Sequence, residues 1–340
     1  GKDHRDTGGG YGAGVSSPRP VGENGTLTDS QRSQLLHLGV IALLFVAFFV
    51  LPTYHVGNLS RIMVLAVYAI GYNFLFGYTG LLSLGHALFF AAGMYGRGLS
   101  MELFDLTAAP ALLVGLASAL IVSAVIGFLA LRTSGVSFMI VTLMFAQAGY
   151  LTILYFGSYT RGDEGFVIQQ ADRVLFGLDL SNDTARYFAA LVLFSVCFLA
   201  VARLVQSPFG RTLIAIRENE ERARMLGYNT VAHKLKAVVI SGTIAGVAGA
   251  AYALLFGYAG ATFATVQYSI FPLLWVLLGG AGTTIGPLVG VIFMFYLIDL
   301  SSDITSAYML IAGVVLVLLT LFAPQGLAGE LRKRVFKWMP

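Results

Sequence analysis

The sequence predicts an all-α protein that crosses a membrane many times, and three observations carry that reading. Of 340 residues, 57% are hydrophobic and 11% are charged. Mean hydropathy is +0.80. Apolar stretches long enough to cross about 30 Å of hydrocarbon as helices, roughly 20 residues each, recur along the chain. A β-barrel would show short alternating strands in place of such continuous runs.

Taken in order, residues 1–34 are expected to form a disordered cytosolic tail. Up to residue 30 they hold eight Gly, with three Lys/Arg against four Asp/Glu, and no secretory signal pattern. Spans are expected near 35–51, 59–76, 84–101, 110–131, 137–156, 185–205, 237–258, 268–281, 285–300 and 307–323. Together they make residues 35–323 one transmembrane domain, followed by a basic cytosolic tail over 324–340. Charge fixes the orientation. Segment 203–236 carries seven Lys/Arg against three Asp/Glu, which places it inside, whereas 157–186 has five acids against three Arg and belongs outside. About ten passes with both termini cytoplasmic satisfy every constraint. The net charge of +4 then reports topology and not nucleic-acid binding.

Two places interrupt the helical pattern. Segment 268–281 is short for a full span and runs into GGAGTTIGP, residues 279–287. It is either a short span or a half-helix that re-enters. GYTGLLSLGHA, residues 77–87, is a second break. Non-helical backbone at membrane depth survives where protein buries it or where it lines a wet cavity, and broken helices often mark a transport path. A tight turn between spans is the plainer reading, and both stay open. Ser83, His86, Gly279, Gly280 and Gly282 are the pathway candidates.

Ionisable residues within spans are few: His86, Arg97, Asp299 and Arg61. Arg61 and Arg97 fall near outer ends, where long side chains snorkel. His86 is expected as a neutral, hydrogen-bonded brace in preference to a ligand. Gly242 and Gly246 form a GxxxG, read as packing within the chain before a subunit interface. Cys197 is expected to be a small buried residue. No series of intramembrane carboxylates exists to relay protons, which counts against an ion-coupled transporter. With no GxxxxGK[ST], GxSxG, HExxH or CxxC motif, neither enzyme chemistry nor a metal or cofactor is expected.

The polar exception is SPFGRTLIAIRENEERARMLGYN, residues 207–229, with seven charged side chains between Gly210 and Gly227. Pro208 and Gly227 read as helix start and stop signals. Arg217–Glu221, Glu218–Arg222 and Glu220–Arg224 are i,i+4 pairs, each worth about 0.2–0.5 kcal/mol. Leu213, Ile216, Ala223 and Leu226 share an arc. Three Glu among the Arg suit a protein partner better than anionic lipid, and a solvated loop helix with no partner stays open as an equal reading of the pattern.

These residues also resemble a known family. Residues 221–227, ERARMLG, look like the cytoplasmic EAA-xxx-G loop of ABC importer permeases. Together with GYTGLLSLGHALFFAAGMY (77–95), SGVSFMIVTLMFAQ (134–147), WVLLGGAGTTIGPLVG (275–290) and FAPQGLAG (322–329), the chain is similar to branched-chain amino acid ABC permeases of the M type. The resemblance implies a multi-pass subunit of a bacterial inner-membrane importer. Its partners would be a homologous H-type permease, two ATP-binding cassette subunits, a periplasmic solute-binding protein and membrane lipid. It further implies that 207–229 is the ATPase-coupling loop, with Arg217, Glu218, Glu220, Glu221, Arg222, Ala223 and Gly227 its contact candidates. Arg222 stands where the motif has a small residue. YTRGDEGF (159–166) resembles an outer Gly-Gly-Asp-Gly stretch with Arg161 in place of Gly. Small apolar amino acids, branched ones first, are the implied cargo; urea, short amides, aromatic or organic acids are alternatives.

Overall fold

The computed structural model describes residues 29–323 and 325–334. The tail expected over 1–34 lies outside them except for 29–34, which already open the first helix. The helices are α1 (Asp29–Val50), α2 (Thr53–Asn73), α3 (His86–Phe104), α4 (Ala108–Ala130), α5 (Val136–Tyr155), α6 (Gly157–Thr160), α7 (Asp183–Gln206), α8 (Pro208–Glu218), α9 (Glu220–Met225), α10 (Thr230–Phe256), α11 (Val266–Gly279), α12 (Gly286–Ile304), α13 (Tyr308–Phe322) and α14 (Gly326–Arg334). Each of the ten expected spans falls on one of them.

Among the described residues, seven helices are long and apolar enough to cross a membrane: α1, α2 with the turn that follows it, α4, α5, α7, α10 and α12. His86, Arg97 and Glu102 lower the hydropathy of α3. With 14 residues, α11 reaches about 21 Å at 1.5 Å per residue, less than the hydrocarbon thickness. Its Pro272 lies inside the helix.

α2 is the axis of the bundle. In its most apolar window 89% of residues are buried, against 17% for α1 and α5. Small residues set how closely its neighbours approach. A Cβ on Gly246 of α10 would collide with Ala119 of α4, and one on Gly249 with the Phe90 backbone of α3. The GxxxG ridge therefore packs within the chain, as the sequence predicts: in lipid, close backbone contact supplies the attraction that the hydrophobic effect cannot.

The two ends of the bundle are built differently. One carries α8 and α9, the breaks at 79–85 and 280–285, and α14. The other carries residues 156–182. Here β1 (Phe166–Val167) pairs antiparallel with β4 (Tyr258–Ala259), in the register Phe166 to Ala259, and β2 (Val174–Leu175) with β3 (Leu178–Asp179).

Candidate functional site

Residues 207–229 fold as two short helices, where the charge pattern predicts one. α8 starts on Ser207, whose hydroxyl accepts from Gly210 N at 3.2 Å. α9 starts on Asn219, whose side chain accepts from Arg222 N at 2.8 Å. Asn is a favoured N-cap because its side chain replaces a missing backbone acceptor, and Asn219 is extended here, with φ −159°. That corner undoes two of the three expected pairs. Glu220–Arg224 forms at 3.3 Å, while Arg217–Glu221 and Glu218–Arg222 do not. Glu220 takes a second cation instead, Lys234 of α10 at 2.7 Å. Burial raises the Glu220 carboxyl, but the Lys234 and Thr230 hydrogen bonds and the nearby charges outweigh it and hold the group below its ordinary range.

Leu213, Ile216 and Ala223 are buried, as the apolar arc predicts. Leu226 departs from it: with the helix turned at Asn219, Leu226 is 73% exposed and Met225 85% exposed. The loop therefore has an anchored face and a free one, the latter bearing Glu221, Arg222, Arg224, Met225 and Leu226.

The anchored side meets both helix breaks. α2 ends in one wide, π-type turn over Phe74–Tyr78. Asn73, at the start of that turn, donates from Nδ2 to the Thr283 carbonyl at 2.9 Å and accepts from Gly282 N at 2.9 Å. One buried amide thus satisfies both a donor and an acceptor that the break at 280–285 leaves open. Thr283 Oγ1 donates to the Gly280 carbonyl at 2.7 Å and accepts from Gly286 N at 3.1 Å, which starts α12. Arg217 Nη1 donates to the Gly77 carbonyl. On the far side of this junction, a Cβ on Gly280 would lie 2.9 Å from Gly329 N and 3.1 Å from Gln325 O, so the start of α14 closes over the same break. Four stretches that carry the family resemblance, 77–87, 207–217, 279–287 and 325–329, come together here.

Ser83 and His86 sit next to this junction in dry surroundings. The Ser83 carbonyl accepts from Tyr72 OH at 2.9 Å, and its hydroxyl accepts from Gly85 N at 3.1 Å. His86 Nε2 lies 2.7 Å from Ser241 Oγ, which donates to the Gly71 carbonyl at 2.5 Å. Tyr72 and Phe89 enclose the imidazole edge-on. His86 is the brace expected from sequence, tying α3 to α10 and α2. Gly279 packs directly under the Gly286 backbone. All five pathway candidates make contacts between elements.

At the opposite end Arg97 does not snorkel as expected. It is 0% exposed, with Nη2 at 3.5 Å from the Asp172 carbonyl and no partner for Nε or Nη1 among the described residues. The chain around Asp172 and Arg173 lies against it. Arg61 remains exposed over the Phe256 ring at 5.2 Å. Arg173 caps the C-terminal end of α10, donating from Nε to Leu254 O at 3.0 Å and from Nη2 to Leu255 O. Orphan carbonyls and the negative end of the helix dipole both favour a cation there. Arg161 is left-handed, with φ 58°, a conformation that glycine adopts without strain. Its guanidinium pairs with Glu102 at 3.0 Å.

Asn73, Ser241, Asn219 and Lys234 escaped the sequence reading. Asn73 carried a signal: an amide in an apolar helix needs a partner inside the bundle.

Comparison with known proteins identifies the family. The family described as "Branched-chain amino acid transport system / permease component" matches residues 54–323. The high-affinity branched-chain amino acid transport system permease protein LivM of Salmonella typhimurium is 30% identical over 299 residues, covering 80% of this chain and 69% of that protein. LivM of Escherichia coli is 30% identical over 297 residues, with the same coverage. The probable branched-chain amino acid transport permease protein LivM of Methanocaldococcus jannaschii is 32% identical over 162 residues, 42% of this chain and 46% of that protein. No solved structure matches the chain.

Proposed function

We infer the function from one premise: the chain belongs to the branched-chain amino acid ABC permeases, as an M-type subunit. On this reading it is the transmembrane half of an ATP-driven, binding-protein-dependent importer in a bacterial inner membrane. Its cargo is branched-chain or other small apolar amino acids. A homologous H-type permease completes the channel, two ATPase subunits dock on the cytoplasmic face, and a periplasmic binding protein delivers the cargo. Ten crossings with both termini inside fit the segregation of the two ends: α8, α9, both breaks and α14 lie at one, residues 156–182 at the other.

The observation that carries the proposal is the two-faced loop over 207–229. Its buried face is fastened to the bundle through Leu213, Ile216, Ala223 and the Glu220–Lys234 pair at 2.7 Å. Its free face presents Glu221, Arg222, Arg224, Met225 and Leu226. An apolar pair ringed by mixed charge suits a groove on a protein, because opposite charges orient the dock and the apolar contacts hold it. Glu221 and Arg222 set the pairing with the ATPase; Glu218 and Gly227 frame the loop.

Glu221→Lys tests it in a complex reconstituted into proteoliposomes. The charge reversal leaves the buried face untouched, so the variant inserts normally while ATP-driven uptake falls about tenfold or more. Full uptake by this variant would remove the docking assignment. Uptake that collapses with the ion gradient and ignores ATP would instead identify a secondary transporter. Thermal-shift screening of the partner binding protein separates amino acids from urea, short amides and organic acids as cargo.

A further inference from the structure

We propose that Arg217 is the positioning residue that passes displacement of the cytoplasmic loop to both helix breaks at once. The inference rests on the ATPase-docking reading and adds a path from the dock into the membrane domain. Arg217 occupies the last turn of α8, two residues before the corner at Asn219, so it stands between the free face on α9 and the bundle. Although the residue keeps solvent contact, its guanidinium reaches α2 and donates to the Gly77 carbonyl. That carbonyl ends the wide turn of α2, where acceptors lack helical donors and a cation is favoured.

Glycines from both breaks make the room. Gly80 has φ +78°, and a Cβ there would lie 2.8 Å from Arg217 Cγ. Gly282 has φ +75°, and a Cβ there would lie 3.3 Å from Arg217 Nη1 and 3.2 Å from the Gly77 carbonyl. The stem of the arginine thus lies against the first break and its tip against the second. Asn73 locks Gly282 and Thr283 to α2 at 2.9 Å on each side, so the two breaks cannot shift independently of the carbonyl that Arg217 holds. A planar guanidinium suits this place because its donors are fixed in a fork, whereas a lysine ammonium is a point charge on a flexible stem. Gly77, Gly80 and Gly282 are far from Arg217 in sequence, so local helix stability does not account for the contact.

Three residues of the loop now divide the work. Glu220 holds the loop to α10, Glu221 meets the ATPase, and Arg217 acts on the breaks. This separates docking from transmission, and the two are measured separately. In the reconstituted complex, Arg217→Met keeps the aliphatic stem against Gly80 and removes the donors. It is expected to co-purify with both ATPase subunits and to hydrolyse ATP, while cargo transported per ATP falls about tenfold, within the range that substitutions along a coupling route produce. Arg217→Lys, which keeps a charged donor, should recover part of that ratio. A structural role alone would lower assembly and leave the ratio intact.

An unchanged transport-to-ATP ratio in Arg217→Met overturns the proposal, as does loss of the ATPase subunits, which would make Arg217 a docking residue like Glu221. If the Met variant is not recovered folded, hydrogen exchange on the wild-type complex decides. Trapping the nucleotide must change protection at 77–82 and 280–286 together with 219–227. A response confined to 219–227 overturns the proposal. Failure of the wild-type chain to bind any ATPase would overturn the docking reading itself and is seen before either variant is made.

Discussion

At the end of the bundle that carries α8 and α9, Asn73, Arg217 and a set of glycines hold two helix breaks against one another through backbone atoms. At the opposite end, Arg173 caps α10, two short strand pairs tie the covering segment down, and Arg161 meets Glu102 where water reaches both. The first arrangement leaves little space between elements, so a shift in one must displace the next. The second uses long polar side chains that can re-form contacts after moving. Close-packed interiors transmit displacement, whereas solvated ion pairs rearrange at little cost. On the proposed function, the contrast suits an importer in which force enters at one end and cargo at the other.

Substitutions at the two ends should therefore fail differently. The largest effect is expected from Gly282→Val. A β-branched residue at φ +75°, 3.2 Å from the Gly77 carbonyl, costs about 1–3 kcal/mol in backbone strain alone, and uptake by the reconstituted complex should fall steeply. Normal uptake and stability in that variant would show that the junction of the two breaks is as forgiving as the opposite end. Arg173→Met comes next. It leaves the Leu254 and Leu255 carbonyls without their donor, a loss of about 1–3 kcal/mol. Hydrogen exchange should rise over 161–182 while cargo per ATP stays constant; a changed ratio would mean that the outer cap also takes part in coupling. Arg161→Gly is the smallest. Relief of the left-handed backbone, about 1 kcal/mol, is set against an exposed ion pair worth about 0.2–1 kcal/mol. A slight rise in melting temperature is expected, and a clear fall would give the Arg161–Glu102 pair more weight than exposed pairs have.

The end that carries residues 156–182 is the harder one to read from sequence. Hydropathy located the ten helical segments because crossing hydrocarbon demands length and apolarity, and both are local properties. The stop at Gly279 and the start after Ser207 were legible for the same reason, through Gly and Pro. Arg97 was not. Whether an arginine near a helix end snorkels or is roofed over depends on a segment some 75 residues away in the chain. The corner at Asn219 was hidden by the charge spacing around it, which favours one continuous helix, although an Asn ahead of two acidic residues is a start signal in its own right. Glycines 80 and 282 read as punctuation. Their contact with Arg217 is a tertiary fact that no window of sequence contains.

The Asn73 amide has a consequence for how the protein is made. Its partners at Gly282 and Thr283 lie 209 and 210 residues downstream, and at ribosomal rates of about 5–20 residues per second they emerge roughly 10–40 seconds after it. For that interval α2, the axis of the finished bundle, holds a polar side chain with its permanent hydrogen-bond partners still unmade. Biogenesis must shelter it in the insertion machinery or with water until Gly282 and Thr283 arrive. Chains truncated before residue 282 should therefore be recognised as incomplete by membrane quality control, however well their earlier helices insert.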